Sequence, residues 1–144
     1  MNIVIDANIT VALFVNLPYS AQVERLFRLW RREAAELFAP ALWPAEVISA
    51  LRKVVTAGQM GSDDARLALA SLKRFPIQVI IPDAALMDSS LIWAERLDQT
   101  VAYDAQYIAL AESLAAEFWT ADQRLLRSIQ RLNVNWTQWV GDVK

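Results

Sequence analysis

The stretch Asn2-Ile3-Val4-Ile5-Asp6-Ala7-Asn8, at the start of the 144-residue chain, decides the fold. Its unbroken β-branched run of Ile3, Val4 and Ile5 predicts a strand that is buried on both faces of a parallel sheet. A segment with helical character follows at once, so Asp6 is expected at the turn where the strand ends. Open α/β folds place their ligands at this carboxyl edge of the sheet. Taken alone, Asp6 is more simply interpreted as the cap of the next helix.

Strand-like and helix-like segments alternate along the rest of the chain. Short apolar runs predict further strands at Leu37–Ala39, Val79–Ile81, Thr100–Tyr103 and Glu117–Thr120. A last extended piece covers Val134–Val140. Alternation of this kind is typical of a parallel sheet with helices on both faces. We therefore predict a single domain over residues 1–144 with an α/β fold, a three-layer α/β/α sandwich around a central, mainly parallel five-stranded sheet.

The composition excludes several classes of enzyme. The chain has no cysteine and no histidine, which removes thiolate nucleophiles, the Ser-His-Asp triad and the usual zinc ligands. Only three glycines are present, so no glycine-rich phosphate loop can be formed. Any catalysis must therefore come from carboxylates, hydroxyls, amides and a hard metal ion such as Mg²⁺ or Mn²⁺. The net charge of −2 argues against broad, non-specific nucleic-acid binding, although charge can still be segregated locally.

The apolar content bears on where the protein is located. Hydrophobic residues make up 56% of the chain, more than the roughly 45–50% that is usual in soluble domains. No window of the sequence reaches the roughly 18 apolar residues that a membrane span needs. The apolar segment Ile9–Leu17 is interrupted by Thr10 and Asn16 and has no basic leader, unlike a signal peptide. We therefore expect a cytoplasmic protein without a membrane segment, with part of the apolar surplus at an interface.

Acidic residues follow three of the predicted strands. Asp6, Asp104 and Asp122 each stand where an apolar strand is expected to end and a helix to begin. Right-handed crossovers would bring these strand ends to one edge of the sheet. Glu46 is a fourth candidate because it lies in the first turn of an otherwise apolar helix, where the helix dipole favours an anion. The alternative for all four is an ordinary acidic residue at a helix start.

Three or four carboxylates in one pocket would repel one another, and folding would disfavour them without a cation. A divalent metal with oxygen ligands resolves this repulsion. Such a metal polarises a phosphoryl oxygen and lowers the pKa of its bound water, which supplies a hydroxide nucleophile without histidine. The sequence therefore indicates hydrolysis of a phosphodiester at a Mg²⁺ or Mn²⁺ site.

Four segments of the chain resemble the PIN-domain ribonucleases, and in size the chain resembles the VapC toxins of bacterial and archaeal toxin–antitoxin pairs. The segments are Val4-Ile5-Asp6-Ala7-Asn8, Glu46-Val47-Ile48-Ser49-Ala50-Leu51-Arg52, Tyr103-Asp104-Ala105-Gln106-Tyr107-Ile108-Ala109-Leu110-Ala111-Glu112 and Trp119-Thr120-Ala121-Asp122. Their order and spacing cover nearly the whole chain. The third segment followed by Thr-x-Asp is quite specific, whereas the first alone is weak.

The resemblance implies an acidic metal site with supporting polar residues that orient ligands or water. The metal site would comprise Asp6, Glu46, Asp104 and Asp122. The supporting residues would be Asn8 and Thr120, joined by Ser49, which stands where the family commonly has Asn and whose side chain reaches less far. The resemblance also implies Mg²⁺- or Mn²⁺-dependent cleavage of RNA by water and a homodimer. It further implies a small antitoxin that wraps apolar helices and blocks the site with a basic side chain.

Other functions stay open at this point. A haloacid-dehalogenase-like phosphatase is the nearest enzymatic alternative, because Asp6-Ala7-Asn8-Ile9-Thr10 nearly spells its Asp-x-Asp-x-Thr loop. The second Asp is Asn8 here, and none of the three lysines, Lys53, Lys73 and Lys144, is well placed for that chemistry. A receiver-type phosphoacceptor domain fails similarly, because it needs a paired acidic start and a strand-end lysine. The non-enzymatic alternative is a catalytically silent PIN-like module kept for binding.

Overall fold

The computed structural model describes residues 1–144, and at its centre lies a five-stranded sheet in which all neighbouring strands are parallel. In spatial order the strands are β3 (Ile77–Ile80), β2 (Glu36–Pro40), β1 (Asn2–Ile5), β4 (Glu117–Thr120) and β5 (Thr137–Trp139). The β-branched run at the start of the chain forms the middle strand and is fully buried. The predicted α/β fold with a five-stranded parallel sheet is confirmed.

Seven α-helices and one short 3₁₀-helix surround the sheet. The α-helices are α1 (Ala7–Val11), α2 (Ser20–Arg32), α3 (Trp43–Thr56), α4 (Ser62–Leu72), α5 (Ala84–Arg96), α6 (Tyr103–Ser113) and α7 (Gln123–Gln130), and the 3₁₀-helix covers Val140–Asp142. Pro44 lies in the first turn of α3, where its missing N–H costs nothing. None of the helices combines the length and the apolar character that a membrane crossing requires.

Successive residues along each strand point to opposite faces of the sheet and therefore belong to two separate hydrophobic cores. Val4, Phe38 and Phe118 lie in register on neighbouring strands and belong to the larger core. That core packs against α3, α5, α6 and α7. Ile3 and Ile5 belong to the smaller core, which is covered by α2 and the 3₁₀-helix. This packing gives the predicted three layers.

The segment Thr100–Tyr103 is not a strand, and the prediction is wrong here. Helix α5 ends at Arg96, and Asp98 has a φ of 53°, in the left-handed region. A short turn then leads into α6, which begins at Tyr103. Val101 is 56% exposed, whereas a strand inside the sheet would bury it. The fifth strand is instead β5, from the extended piece near the end of the chain. Asp104 therefore reaches the carboxyl edge of the sheet from a helix and not from a strand end.

Candidate active site

Four acidic side chains from distant parts of the chain line one pocket at the carboxyl edge of the sheet. The pocket has a volume of about 290 Å³. Its lining residues are Asp6, Ala7, Asn8, Glu46, Ser49, Ala50, Lys53, Asp104 and Asp122. The structure thus brings together all the acidic residues that the sequence suggested for the site. Asn8 and Ser49 line the same pocket, while Thr120 lies buried beneath it.

Asp6 is held between β1 and β4. Its backbone N–H donates to the Trp119 carbonyl at 3.0 Å, which continues the hydrogen-bond ladder of the two strands. Its carboxylate Oδ2 accepts from Thr120 Oγ1 at 2.7 Å and from Asn8 Nδ2 at 2.9 Å. Asp6 occupies the cap position of α1 but its side chain forms no capping hydrogen bond. The helix-cap interpretation is therefore wrong for this residue.

Thr120 and Asn8 connect Asp6 to the segment that carries Asp122. Thr120 Oγ1 accepts the backbone N–H of Asp122 at 2.9 Å while it donates to Asp6. Asn8 Oδ1 accepts the backbone N–H of Ala121 at 3.1 Å. These bonds join the ends of β1 and β4 through side chains. They fix the distance between two of the acidic positions.

The other two aspartates are anchored in different ways. Asp122 is an exposed cap of α7, and its Oδ1 accepts the backbone N–H groups of Arg124 at 2.8 Å and Leu125 at 3.0 Å. Asp104 lies in the first turn of α6 and does not cap it. Its Oδ2 instead accepts from Gln99 Nε2 at 3.0 Å. Asp122 therefore both caps a helix and lines the pocket, whereas Asp104 lines the pocket without capping a helix.

Glu46 reaches the pocket from α3, and two side-chain hydrogen bonds position it, one at the start of its helix and one to its carboxylate. Trp43 Nε1 donates to Thr10 Oγ1 at 3.2 Å, which fixes the start of α3 against α1. Tyr107 Oη donates to Glu46 Oε1 at 2.7 Å. The Tyr107 side chain is only 1% exposed. Glu46 is therefore held by α6 as well as by its own helix.

The carboxylates in the pocket interact as like charges. Burial, joined by the charges of Glu46 and Asp104 and opposed by the hydrogen bond from Thr120, raises the pKa of Asp6 to about 7. Burial also raises the pKa of Glu46, with Asp104 adding to the effect. Asp104 has a raised pKa from burial and from the charge of Asp122. A neighbouring cation would reverse these shifts, so the pocket favours binding of a cation.

The donor set of the pocket fits a hard divalent cation. Carboxylate, amide and hydroxyl oxygens line it, and oxygen ligands are those that Mg²⁺ and Mn²⁺ prefer. As the side chains stand, no three acidic residues form a group that could hold a metal ion. A bound ion would therefore have to draw the carboxylates closer together.

Three residues at the site were not predicted. Lys53 lines the pocket, although it was not among the residues predicted for the site. Its spacing of seven residues from Glu46 places both on one face of α3, and this spacing could have found it. Tyr107 follows Asp104 by three residues on α6, and this helical spacing likewise places both on one face of the helix. Gln99 lies in the turn before α6, where no periodicity applies.

An all-parallel α/β sheet with an acidic pocket at its carboxyl edge defines the class of this protein. Within that class the chain belongs to the PIN domain family, whose sequence model matches residues 4–137. This assignment excludes the haloacid-dehalogenase-like and receiver-type alternatives.

Individual relatives agree with the family assignment. Ribonuclease VapC9 of Mycobacterium tuberculosis is 34% identical over 123 residues, which cover 85% of this chain and 87% of the relative. Ribonuclease VapC3 of Pyrobaculum aerophilum is 31% identical, with 92% of this chain and 98% of the relative covered. The structure of VapBC2 from Rickettsia felis, bound to a DNA fragment from their promoter, has a TM-score of 0.68 at 12% identity, over 96% of this chain and 97% of that chain. At that identity the last comparison supports the fold alone.

Proposed function

We propose that the protein is a ribonuclease of the VapC type that hydrolyses RNA phosphodiester bonds with water activated by Mg²⁺ or Mn²⁺. The observation that carries the proposal is the pocket of four carboxylates, in which like charges contribute to the raised pKa of Asp6, Glu46 and Asp104. A divalent cation stabilises such a pocket. The ribonuclease relatives at 31–34% identity support RNA as the substrate class.

Each polar residue of the pocket has a role in this chemistry. The metal, when bound by Asp6, Glu46, Asp104 and Asp122, supplies polarisation of the phosphoryl group and acidification of water. Thr120 and Asn8 keep the Asp6 carboxylate oriented through their bonds to its Oδ2. Lys53 is the only cationic side chain in the lining and would offset negative charge that develops on the phosphate. Ser49 offers a hydroxyl that can hydrogen-bond to water or substrate.

Metal-dependent cleavage tests the proposal. Purified protein is incubated with structured and unstructured RNAs in Mg²⁺, in Mn²⁺ or in EDTA, and we expect cleavage only with a metal. Asp6→Asn and Asp104→Asn should each lower the rate by about a hundredfold or more, because electrostatic stabilisation of the reacting phosphate is lost. Their circular dichroism spectra should match the wild type.

Asp88→Asn is the matched control, because Asp88 is an exposed carboxylate of α5 outside the pocket. It should leave the rate unchanged. Cleavage that persists undiminished in EDTA would contradict the metal mechanism. Full activity of both pocket variants would contradict the assignment of the site and favour a silent binding module.

The resemblance to VapC toxins extends the proposal to partners. We infer a cognate small antitoxin, a homodimeric assembly and a cytoplasmic location. Exposed apolar side chains offer surface for such contacts: Ile81 is 83% exposed, Leu91 67% and Met87 59%. Met87 and Leu91 are four residues apart on α5 and so lie on one helix face, and contiguous exposed apolar side chains commonly mark protein interfaces.

Growth on expression tests the toxin role. Expression of the protein alone should slow growth, co-expression of the antitoxin should relieve the effect, and Asp104→Asn expressed alone should be tolerated. Normal growth at a high yield of verified active protein would count against the toxin role. That result would leave the nuclease chemistry intact, because the cleavage assay measures it separately.

A further inference from the structure

Positive charge is concentrated on two helices of a protein whose net charge is −2. Helix α2 and helix α7 with its following residue Arg131 carry seven of the fourteen basic residues and one of the sixteen acidic residues. The rest of the chain has seven basic against fifteen acidic residues. The charge is therefore segregated, and a polyanion that approaches this acidic protein would be attracted to particular helices.

Three arginines of α2 line a groove against the last residues of the chain. Arg25, Arg28 and Arg32 recur at a spacing of three and four residues, which places them on one helix face. All three are exposed, on the side of α2 opposite its buried residues Val23 and Phe27. Together with Leu26, Leu29, Val143 and Lys144, these arginines line the groove, which has a volume of about 470 Å³. The groove has no acidic side chain in its lining.

The groove arginines have almost no acidic partners. Only one of the two ion pairs in the protein involves them, between Arg28 and Glu24 at 3.6 Å. Both side chains of this pair are more than 60% exposed, so the pair adds little stability. Arg25 and Arg32 form no ion pair. Their guanidinium groups are therefore available to an external anion.

Helix α2 begins beside the carboxylate pocket and leads away from it. Ser20, the first residue of α2, donates from its Oγ to the Ala12 carbonyl at 2.8 Å, and Ala12 directly follows α1, whose residues Ala7 and Asn8 line the pocket. At a rise of 1.5 Å per residue, Arg25, Arg28 and Arg32 stand about 9, 14 and 20 Å along the helix axis from Tyr19, the residue before α2. A chain bound at the pocket could therefore pass each arginine in turn.

We propose that the groove of Arg25, Arg28 and Arg32 binds the phosphate backbone of the RNA strand next to the scissile bond. This inference rests on the proposed ribonuclease function. Without a metal the acidic pocket repels a phosphate chain, so the affinity for RNA in EDTA has to come from another surface. Arginine is always charged and its planar fork matches phosphate oxygens. Contacts of this kind position the strand and carry no base preference.

The test is the salt dependence of RNA binding. The groove variant carries Arg25→Gln, Arg28→Gln and Arg32→Gln, and Gln has nearly the helix propensity of Arg. The control variant carries Arg66→Gln, Lys73→Gln and Arg74→Gln, which remove the same net charge from α4 and the turn after it. Binding of a fluorescein-labelled single-stranded RNA is measured by fluorescence anisotropy in EDTA, which prevents cleavage.

Each phosphate contact contributes about 0.7 to the slope of log affinity against log salt for single strands. Between about 50 and 200 mM salt, the wild type should therefore lose affinity about 20-fold more than the groove variant. The control variant should follow the wild type. If the triple variant fails to fold, Arg25→Gln alone should lower the slope by about 0.7.

Equal slopes for the wild type and the groove variant would overturn the proposal. The same conclusion follows if the groove variant binds RNA normally but no longer captures the antitoxin, because the groove would then be a protein interface. Cleavage in Mn²⁺ separates this proposal from the function proposed above. Salt-dependent binding through the groove without cleavage would contradict only the ribonuclease function, and cleavage with equal slopes would contradict only the groove.

Discussion

The hydroxyl of Tyr107 links the acidic pocket to the hydrophobic core. Its Oη donates to Glu46 Oε1 at 2.7 Å, and its ring packs against Phe118 with centroids 5.9 Å apart. Burial and the charges of Asp6 and Glu46 raise the pKa of Tyr107 far above its usual range. The hydroxyl therefore stays protonated at neutral pH and acts as a fixed donor to Glu46.

Tyr107→Phe should lower metal affinity or activity about 10–100-fold, as expected when a residue that orients a metal ligand is lost. The free energy of unfolding should fall by about 1 kcal/mol, the usual cost of one lost hydrogen bond. Tyr103→Phe is the matched control, because Tyr103 lies one turn earlier on the same helix and is 61% exposed. Calorimetric titration with Mn²⁺ measures the affinity. Equal affinities for the two variants would contradict a positioning role.

At the residue scale, the sequence predicted which carboxylates meet but not what holds them. Asp6 and Asp122 were predictable because each follows a buried strand of a parallel sheet. The hydrogen bonds from Gln99 to Asp104 and from Tyr107 to Glu46 depend on how helices pack side by side. No local pattern specifies that packing.

At the scale of elements, the parallel sheet was predictable and one strand was misplaced. The apolar run Thr100–Tyr103 is too short for periodicity to distinguish a strand from a helix start. Packing decided the outcome, because α5 and α6 form extensive contacts as a helical pair. The prediction nevertheless placed Asp104 at the carboxyl edge of the sheet, because the first turn of α6 lies at that edge. The strand count was correct because the terminal extended piece supplies β5.

Helix α7 allows capping and pocket chemistry to be separated at Asp122. Asp122→Asn should be at least as stable as the wild type, because Asn caps a helix about as well as Asp and the charge that acts on Asp104 is removed. Cleavage should nevertheless fall steeply, because a carboxylate is removed from the pocket. Asp122→Ala should lose the same activity and also about 1 kcal/mol of stability. Urea unfolding and RNA cleavage are measured for both variants. Full activity of Asp122→Asn would show that Asp122 is only a helix cap and has no part in cleavage.

At the scale of the whole molecule, the clustered carboxylates that the proposed function requires lower the stability of the metal-free protein. The folded-state pKa of Asp6 is about 7, above its unfolded value of about 3.9. A raised folded pKa contributes stability that is fully present below the unfolded value and is lost as pH rises through the folded value. The metal-free protein should therefore be strained near neutral pH, and a divalent cation that binds the folded state should stabilise it by mass action.

Thermal melting of the wild type and Asp104→Asn at neutral pH, in EDTA and then in Mg²⁺, tests the shared carboxylate pocket most directly. In EDTA, Asp104→Asn should melt above the wild type, by about 2–4 °C for each kcal/mol of repulsion removed. Mg²⁺ should raise the Tm of the wild type clearly and that of the variant less. Equal melting temperatures in all four conditions would contradict a common cation-binding pocket.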